Sequence, residues 1–217
     1  MWRELKRIGL EIKANPKNKV VIVRGITGDF TAGSDIKEFC EMSVDEANEA
    51  FRLMEETIST FESLPIPVIG AIDGPTLGAG FVFSLAFDIR VGTPNTRMGI
   101  PVGRLGIKLG PTFVQRISRL IGPSRTKELV MTNEIYDYQR SYDMGLVNKV
   151  VSSEDLDKYA LDLAKMISKQ SRASMKAVKK SANMTTLPND IEFDFVDPVD
   201  FHEGCLAFVE KRKPNFQ

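Results

Sequence analysis

Two short stretches, Thr31-Ala32-Gly33-Ser34-Asp35-Ile36-Lys37 and Gly74-Pro75-Thr76-Leu77-Gly78-Ala79-Gly80-Phe81, decide the fold. Each follows an apolar run of strand character, and each leads into a helical pattern. The first turn of a helix has backbone N–H groups without intrahelical partners and carries about half a unit of positive charge, which suits it to an oxygen that is becoming negative. Small residues at 32–34 and 78–80 let a ligand carbonyl approach the backbone itself. Two such turns meeting at one point supply two N–H donors to one thioester or ester oxygen, a paired oxyanion hole.

Outward from these turns, strands and helices alternate. Trp2, Leu5, Ile8 and Ile12 recur at helical spacing, and Pro16 marks the exit. Residues 20–23 form the strand ahead of the first turn. A second helix starts at Ser43, whose hydroxyl caps it while Glu46 reaches back, and it runs through Ala47, Phe51, Met54, Ile58 and Phe61 until Pro65. Residues 67–72 are the next strand. Gly78 begins a helix whose 81–86 core is apolar all round and therefore buried. Residues 88–91 resume a strand, helical patterns cover 111–121, 124–132 and 138–144, and Gly145 closes the last of them at C′. A strand at 146–151 precedes an amphipathic helix at 154–169. This alternation predicts an α/β architecture. From Ser171 onward the pattern is helical only, around Met175, Val178 and Lys179 and again over 199–211. Two short helices of this kind cannot bury their apolar faces alone.

Bulk properties exclude several classes. The chain has 217 residues, enough for a sizeable core, and its 29 basic and 29 acidic residues cancel. A neutral balance leaves no footprint for nucleic acid or an anionic membrane, so a phosphate-bearing ligand must be met by local groups. No apolar run reaches the length of a membrane span and no signal peptide opens the chain, which reads as cytoplasmic. Cys40 and Cys205 are read as reduced structural residues, and no metal site is expected. One histidine, His202, far in sequence from both turns, excludes a Ser/His/Asp triad and a multi-histidine zinc site. Neither turn spells GxGxxG with an acidic residue about 20 positions on, which excludes a dinucleotide site.

The two turns, together with Arg97-Met98-Gly99-Ile100-Pro101, Leu105-Gly106, Gln115-Arg116, the 145–151 run Gly-Leu-Val-Asn-Lys-Val-Val, Glu203-Gly204 and the closing 207–216 run, resemble the enoyl-CoA hydratase/isomerase (crotonase) family in order and spacing over nearly the whole chain. The resemblance implies a spiral of ββα units over 1–170 and a C-terminal helical segment, 171–217, that packs across a subunit boundary to build a homotrimer or a dimer of trimers. Against the family pattern, the β-hairpin and Asn-Pro-rich loop ahead of Trp2 are missing.

By the same resemblance, the ligand is an acyl-CoA thioester, with coenzyme A entering as part of the substrate and no separate cofactor. The oxyanion donors are the N–H groups of Ser34 and Ala79. Asp35, Ile36 and Lys37 border the CoA, and Phe208 and Lys211 reach the nucleotide from a neighbouring subunit. Family hydratases carry one glutamate four residues after the first Gly of the second turn and another directly after the Pro of the Met-Gly-x-Pro segment. Here those positions are Val82 and Val102. Valine neither donates nor accepts a proton. Replacement groups are sought among the Ser34 and Thr76 hydroxyls, Asp29, Asp73, Arg97, Arg104 and Lys108, whereas Asp35 is expected to cap a helix and Asp88 to be structural. The implied activity is enolate or oxyanion stabilisation with an altered proton-transfer set. The alternatives are a non-catalytic acyl-CoA binder or assembly subunit, and a decarboxylase or isomerase of the same family.

Overall fold

The computed structural model describes residues 1–26, 28–184 and 194–216. A four-stranded parallel sheet is its frame, in the order β1 (Val21–Arg24), β2 (Val68–Ile72), β4 (Ile89–Gly92), β7 (Lys149–Val150). Every residue of β2 is buried, as expected where both faces of a parallel sheet are covered. Alternate side chains divide between two cores. Val68 and Ile72 join the larger one, with Phe81, Phe83 and Phe87. Ile69 and Ala71 face Leu156 and Ala160 of α7 (Leu156–Ile167).

The larger core is closed by α3 (Val44–Glu62) and α4 (Ala79–Leu85), with α1 (Trp2–Ala14) packed on α3. Ser43 and Glu46 form the expected reciprocal cap of α3. In α4 all residues from Gly80 to Leu85 are buried, matching the helix read as apolar on every side. The long helix α5 (Pro111–Thr132) breaks at Gly122, whose φ of 77° and ψ of 163° are non-helical, so the two helical patterns are two arms of one kinked element. Arg116 on its first arm is buried and bridges to α3. Its guanidinium donates to Glu55 at 2.8 Å, to Glu62 at 2.8 Å and to Ser59 at 2.9 Å.

A second sheet escaped the sequence pattern. β3 (Pro75–Leu77) pairs in parallel with β5 (Arg97–Gly99), which pairs antiparallel with β6 (Ile135–Tyr136). Strands of two or three residues are too short to show a period. The strand expected at 146–151 shortens to Lys149–Val150, because the amides of Leu146 and Val147 turn back to the Ser141 carbonyl at 2.9 and 3.2 Å. Gly145 (φ 82°) makes that turn, just past α6 (Tyr138–Asp143).

Of the C-terminal helices, α8 (Arg172–Ala182) is anchored by Lys179, whose Nζ donates to Asp88 at 2.8 Å and to the Ile66 carbonyl at 3.1 Å. Asp88 also accepts from the Val68 amide at 2.7 Å, which gives it the structural role expected. The final helix, α9 (Pro198–Val209), meets the preceding segment through Ser171 and Asp200, 2.5 Å apart. It leaves Phe208 86% and Val209 76% exposed. Residues 185–193 of the C-terminal segment lie outside the described residues.

Candidate active site

The two glycine turns meet. Thr31 is zipped to the second one by its amide donating to the Pro75 carbonyl and its carbonyl accepting from the Leu77 amide, both at 2.9 Å. Contact is so close that side chains are excluded. A Cβ at Gly33 would lie 2.8 Å from the Leu77 oxygen and 3.4 Å from the Ala79 nitrogen, and one at Gly80 would lie 2.1 Å from Thr31 Cγ2. Gly33 also has a φ of +96°, open to glycine at little cost.

Most amides around this junction are used. Gly33 N–H donates to Thr31 Oγ1 at 3.1 Å, Lys37 N–H to Asp35 Oδ1 at 2.9 Å, and Gly78 N–H to the Gly99 carbonyl at 2.9 Å. Asp35 is thus the N-cap of α2 (Ile36–Glu41), as its place in the sequence predicts. Among the described residues, neither the Ser34 nor the Ala79 N–H has an acceptor. Ala79 is the first residue of α4, where an unpaired amide is the geometric rule.

Ser34 and Ala79 both line a pocket of about 190 Å³. Its walls come from α2 (Ile36, Phe39), α3 (Phe51, Met54), α4 (Val82), the segment from Ile100 to Leu109, and Phe113 at the start of α5. None of the lining residues is ionisable. The one polar side chain is Ser34, whose hydroxyl lies 3.8 Å from Met54 Sδ. Val82 and Val102 both line the pocket, 1% and 9% exposed.

The other proposed proton-transfer groups are not brought there. Asp73 accepts from Thr93 Oγ1 at 2.6 Å, Ser153 Oγ at 3.0 Å, Asn95 Nδ2 at 3.1 Å and Gly28 N–H at 3.1 Å. Burial pushes its carboxyl up, but those donors outweigh burial and hold it below the usual carboxylate range. It is a structural hub. Thr76 is fully buried with its hydroxyl 3.4 Å from the Gly74 carbonyl, and Arg97 donates to the Pro94 and Thr96 carbonyls. Among the described residues, one buried carboxylate oxygen of Asp29 has no partner, and Asp29 does not line the pocket. Arg104 and Lys108 are exposed, as is His202. Lys37 is exposed on α2, and Phe208 and Lys211 lie at the exposed C-terminal end of the chain, outside this pocket lining. Cys40 and Cys205 are free and exposed.

Sequence reading missed how the apolar wall assembles. Phe39, Ile107, Leu109 and Phe113 line the pocket from three separate segments, and Phe51 and Met54 read simply as the buried stripe of a helix. Helical periodicity marks a residue as inward-facing and does not say whether a neighbour fills the space it faces.

Comparison with known proteins gives the family and the fold. The family model described as enoyl-CoA hydratase/isomerase matches residues 1–217. A mitochondrial methylglutaconyl-CoA hydratase of Mus musculus is 32% identical over 225 residues, covering 95% of this chain and 70% of that protein. A crotonyl-CoA hydratase of Syntrophomonas wolfei is 33% identical over 224 residues, covering 98% of this chain and 86% of that protein. Among solved structures, an enoyl-CoA hydratase/carnithine racemase from Magnetospirillum magneticum superposes with a TM-score of 0.92 at 28% identity, covering all of this chain and 85% of that one. The chain belongs to the enoyl-CoA hydratase/isomerase family and has the crotonase fold. Among the described residues, no helix is long and apolar enough to cross a membrane.

Proposed function

We propose that the chain binds an acyl-CoA thioester with its carbonyl oxygen on the Ser34 and Ala79 N–H groups and stabilises the enolate or oxyanion formed there. The observation that carries this reading is the pair of unpartnered amides, from two turns in contact, on two residues that line one apolar pocket. Donors aimed at developing negative charge in a dry site are each worth about 10²-fold to 10³-fold in rate. The same pocket has valine at both family glutamate positions, so proton transfer is not carried by the usual hydratase pair. Ile36 and Lys37 border the CoA, and Phe208 and Lys211 serve the nucleotide of a neighbouring subunit.

Position 79 offers a clean test. Proline is tolerated at the first position of a helix because the amide it removes has no helical partner there. Ala79→Pro should therefore leave α4 in place while weakening acyl-CoA binding at least about 100-fold in a calorimetric titration. Ser34→Ala keeps its N–H and should bind within about threefold of wild type. Equal losses from both substitutions would count against the assignment.

A second reading, a non-catalytic acyl-CoA binder, is favoured by the absence of any ionisable lining residue. Mass spectrometry on a panel of CoA thioesters separates the two, since only an enzyme converts one of them.

The exposed apolar residues of α9 support assembly into a homotrimer or a dimer of trimers through the segment after Ser171. Contiguous exposed apolar surface marks an interaction site more often than a free one. Light scattering at micromolar concentration should report a mass of three or six chains, and a monomer would refute the assembly.

A further inference from the structure

Acceptance by a pocket depends on what the bound group gives up in leaving water. Apolar surface gains on entry, whereas a polar group loses its hydration and must find a partner inside. In this pocket the one polar side chain is the Ser34 hydroxyl, beside the two amides assigned to the thioester oxygen; every other lining side chain is hydrocarbon or a thioether. The cleft adjoining it at Ser34, Phe39 and Met54 is lined by five acids; Glu49 and Glu56 are paired with Arg52 and Lys6, which leaves Asp35, Glu38 and Glu46 against Arg3. A carboxylate that left the pocket by that route would meet charge of its own sign. Arg104 and Lys108, on either side of the pocket-lining Leu105 and Ile107 in sequence, are exposed and do not line it.

Size sets a second limit. An apolar cavity of about 150 Å³ accommodates a six-carbon ring, and this one is about 190 Å³. Resting on the acyl-CoA reading above, we infer that the pocket selects an uncharged hydrocarbon acyl group of about six to eight carbons and rejects acyl groups that end in a carboxylate. Selectivity comes from the desolvation of the wrong ligand, with no residue needed to recognise the right one.

Calorimetric titration of the full chain with butyryl-, hexanoyl-, octanoyl-, decanoyl- and adipoyl-CoA, and with CoA alone, tests this. Each methylene entering the pocket should tighten binding about fourfold, and the gain should stop between eight and ten carbons. Hexanoyl-CoA should bind at least about 100-fold more tightly than adipoyl-CoA, which has the same carbon count with a carboxylate in place of the terminal methyl. A smaller ratio overturns the inference and leaves acyl-CoA binding standing. If no thioester binds more tightly than CoA alone, the acyl-CoA reading fails and this inference falls with it. Leu105→Arg supplies an independent arm, because Leu105 lines the pocket yet is 49% exposed and can carry a cation without burying it. In the folded variant the preference for hexanoyl-CoA over adipoyl-CoA should shrink at least about tenfold. An unchanged ratio overturns the inference, and if the variant does not fold, the wild-type ratio decides alone.

Discussion

Crotonyl-CoA mixed with this protein should lose its enoyl-thioester absorbance at least about 10⁴-fold more slowly than with a family hydratase that has both glutamates. A positioned acid or base contributes about 10²-fold to 10⁴-fold, and two that act as a unit do not simply multiply. Val82 and Val102 stand at both positions, and neither the pocket lining nor its single hydroxyl supplies a replacement of suitable pKa. The unpaired amides alone leave a residual rate. Wild-type turnover above about 10 s⁻¹, the middle of the range for enzymes, would show that other groups replace the glutamates. Val82→Glu with Val102→Glu is the reciprocal experiment, and its outcome depends on burial. A carboxylate at position 82, which is 1% exposed, enters a wall with no cation in it. Its pKa rises and the fold bears the cost of the neutral or unpaired group. A gain in rate is therefore expected only where thermal denaturation shows that the variant remains folded.

Replacing Arg116 with methionine should destabilise the fold by about 3–5 kcal/mol, the usual cost of leaving buried charges without their partner. Its side chain is 4% exposed, while Glu55 and Glu62, which it holds, are 22% and 21% exposed. Burial raises the Glu55 carboxyl, but hydrogen bonds from Arg116 and its charge outweigh burial and hold it below the ordinary range. Without the guanidinium, Glu55 and Glu62, two turns apart on α3, lose the partner they share on α5, and among the described residues Glu62 keeps only the ion pair to Arg119 at 3.2 Å. For a chain of this size that cost lowers the melting temperature by about 6–20 °C. Since α3 contributes Phe51 and Met54 and α5 contributes Phe113 to the pocket wall, acyl-CoA affinity should fall with stability. Lysine cannot reproduce a fork that holds two carboxylates, so Arg116→Lys should recover only part of the loss. Neutralising the acids as well, with Glu55→Gln and Glu62→Gln in the Arg116→Met background, should restore more. A melting temperature unchanged in Arg116→Met would mean that this network contributes nothing net.

Local sequence alone was enough for the parts of the molecule whose signals are local. The buried helix after Gly78, the reciprocal cap at Ser43 and Glu46, the Asp35 cap and the turn at Gly145 each follow from a few adjacent residues, because capping, periodicity and positive φ act within one or two turns of chain. So did the two glycine turns and the absence of glutamate at 82 and 102, which are matters of spelling and spacing. Tertiary structure decided what those features face. That Gly33 packs against Ala79, that Asp73 belongs to a hub with Thr93, Asn95 and Ser153, and that Phe39, Met54, Ile107 and Phe113 share one cavity all depend on segments up to 80 positions apart in the chain. The short strands of the second sheet belong with them, since three residues form a strand only when a partner supplies the hydrogen bonds. Periodicity orients a side chain relative to its own helix or strand; whether it meets a neighbour, a charge or an empty space is set by how distant segments pack.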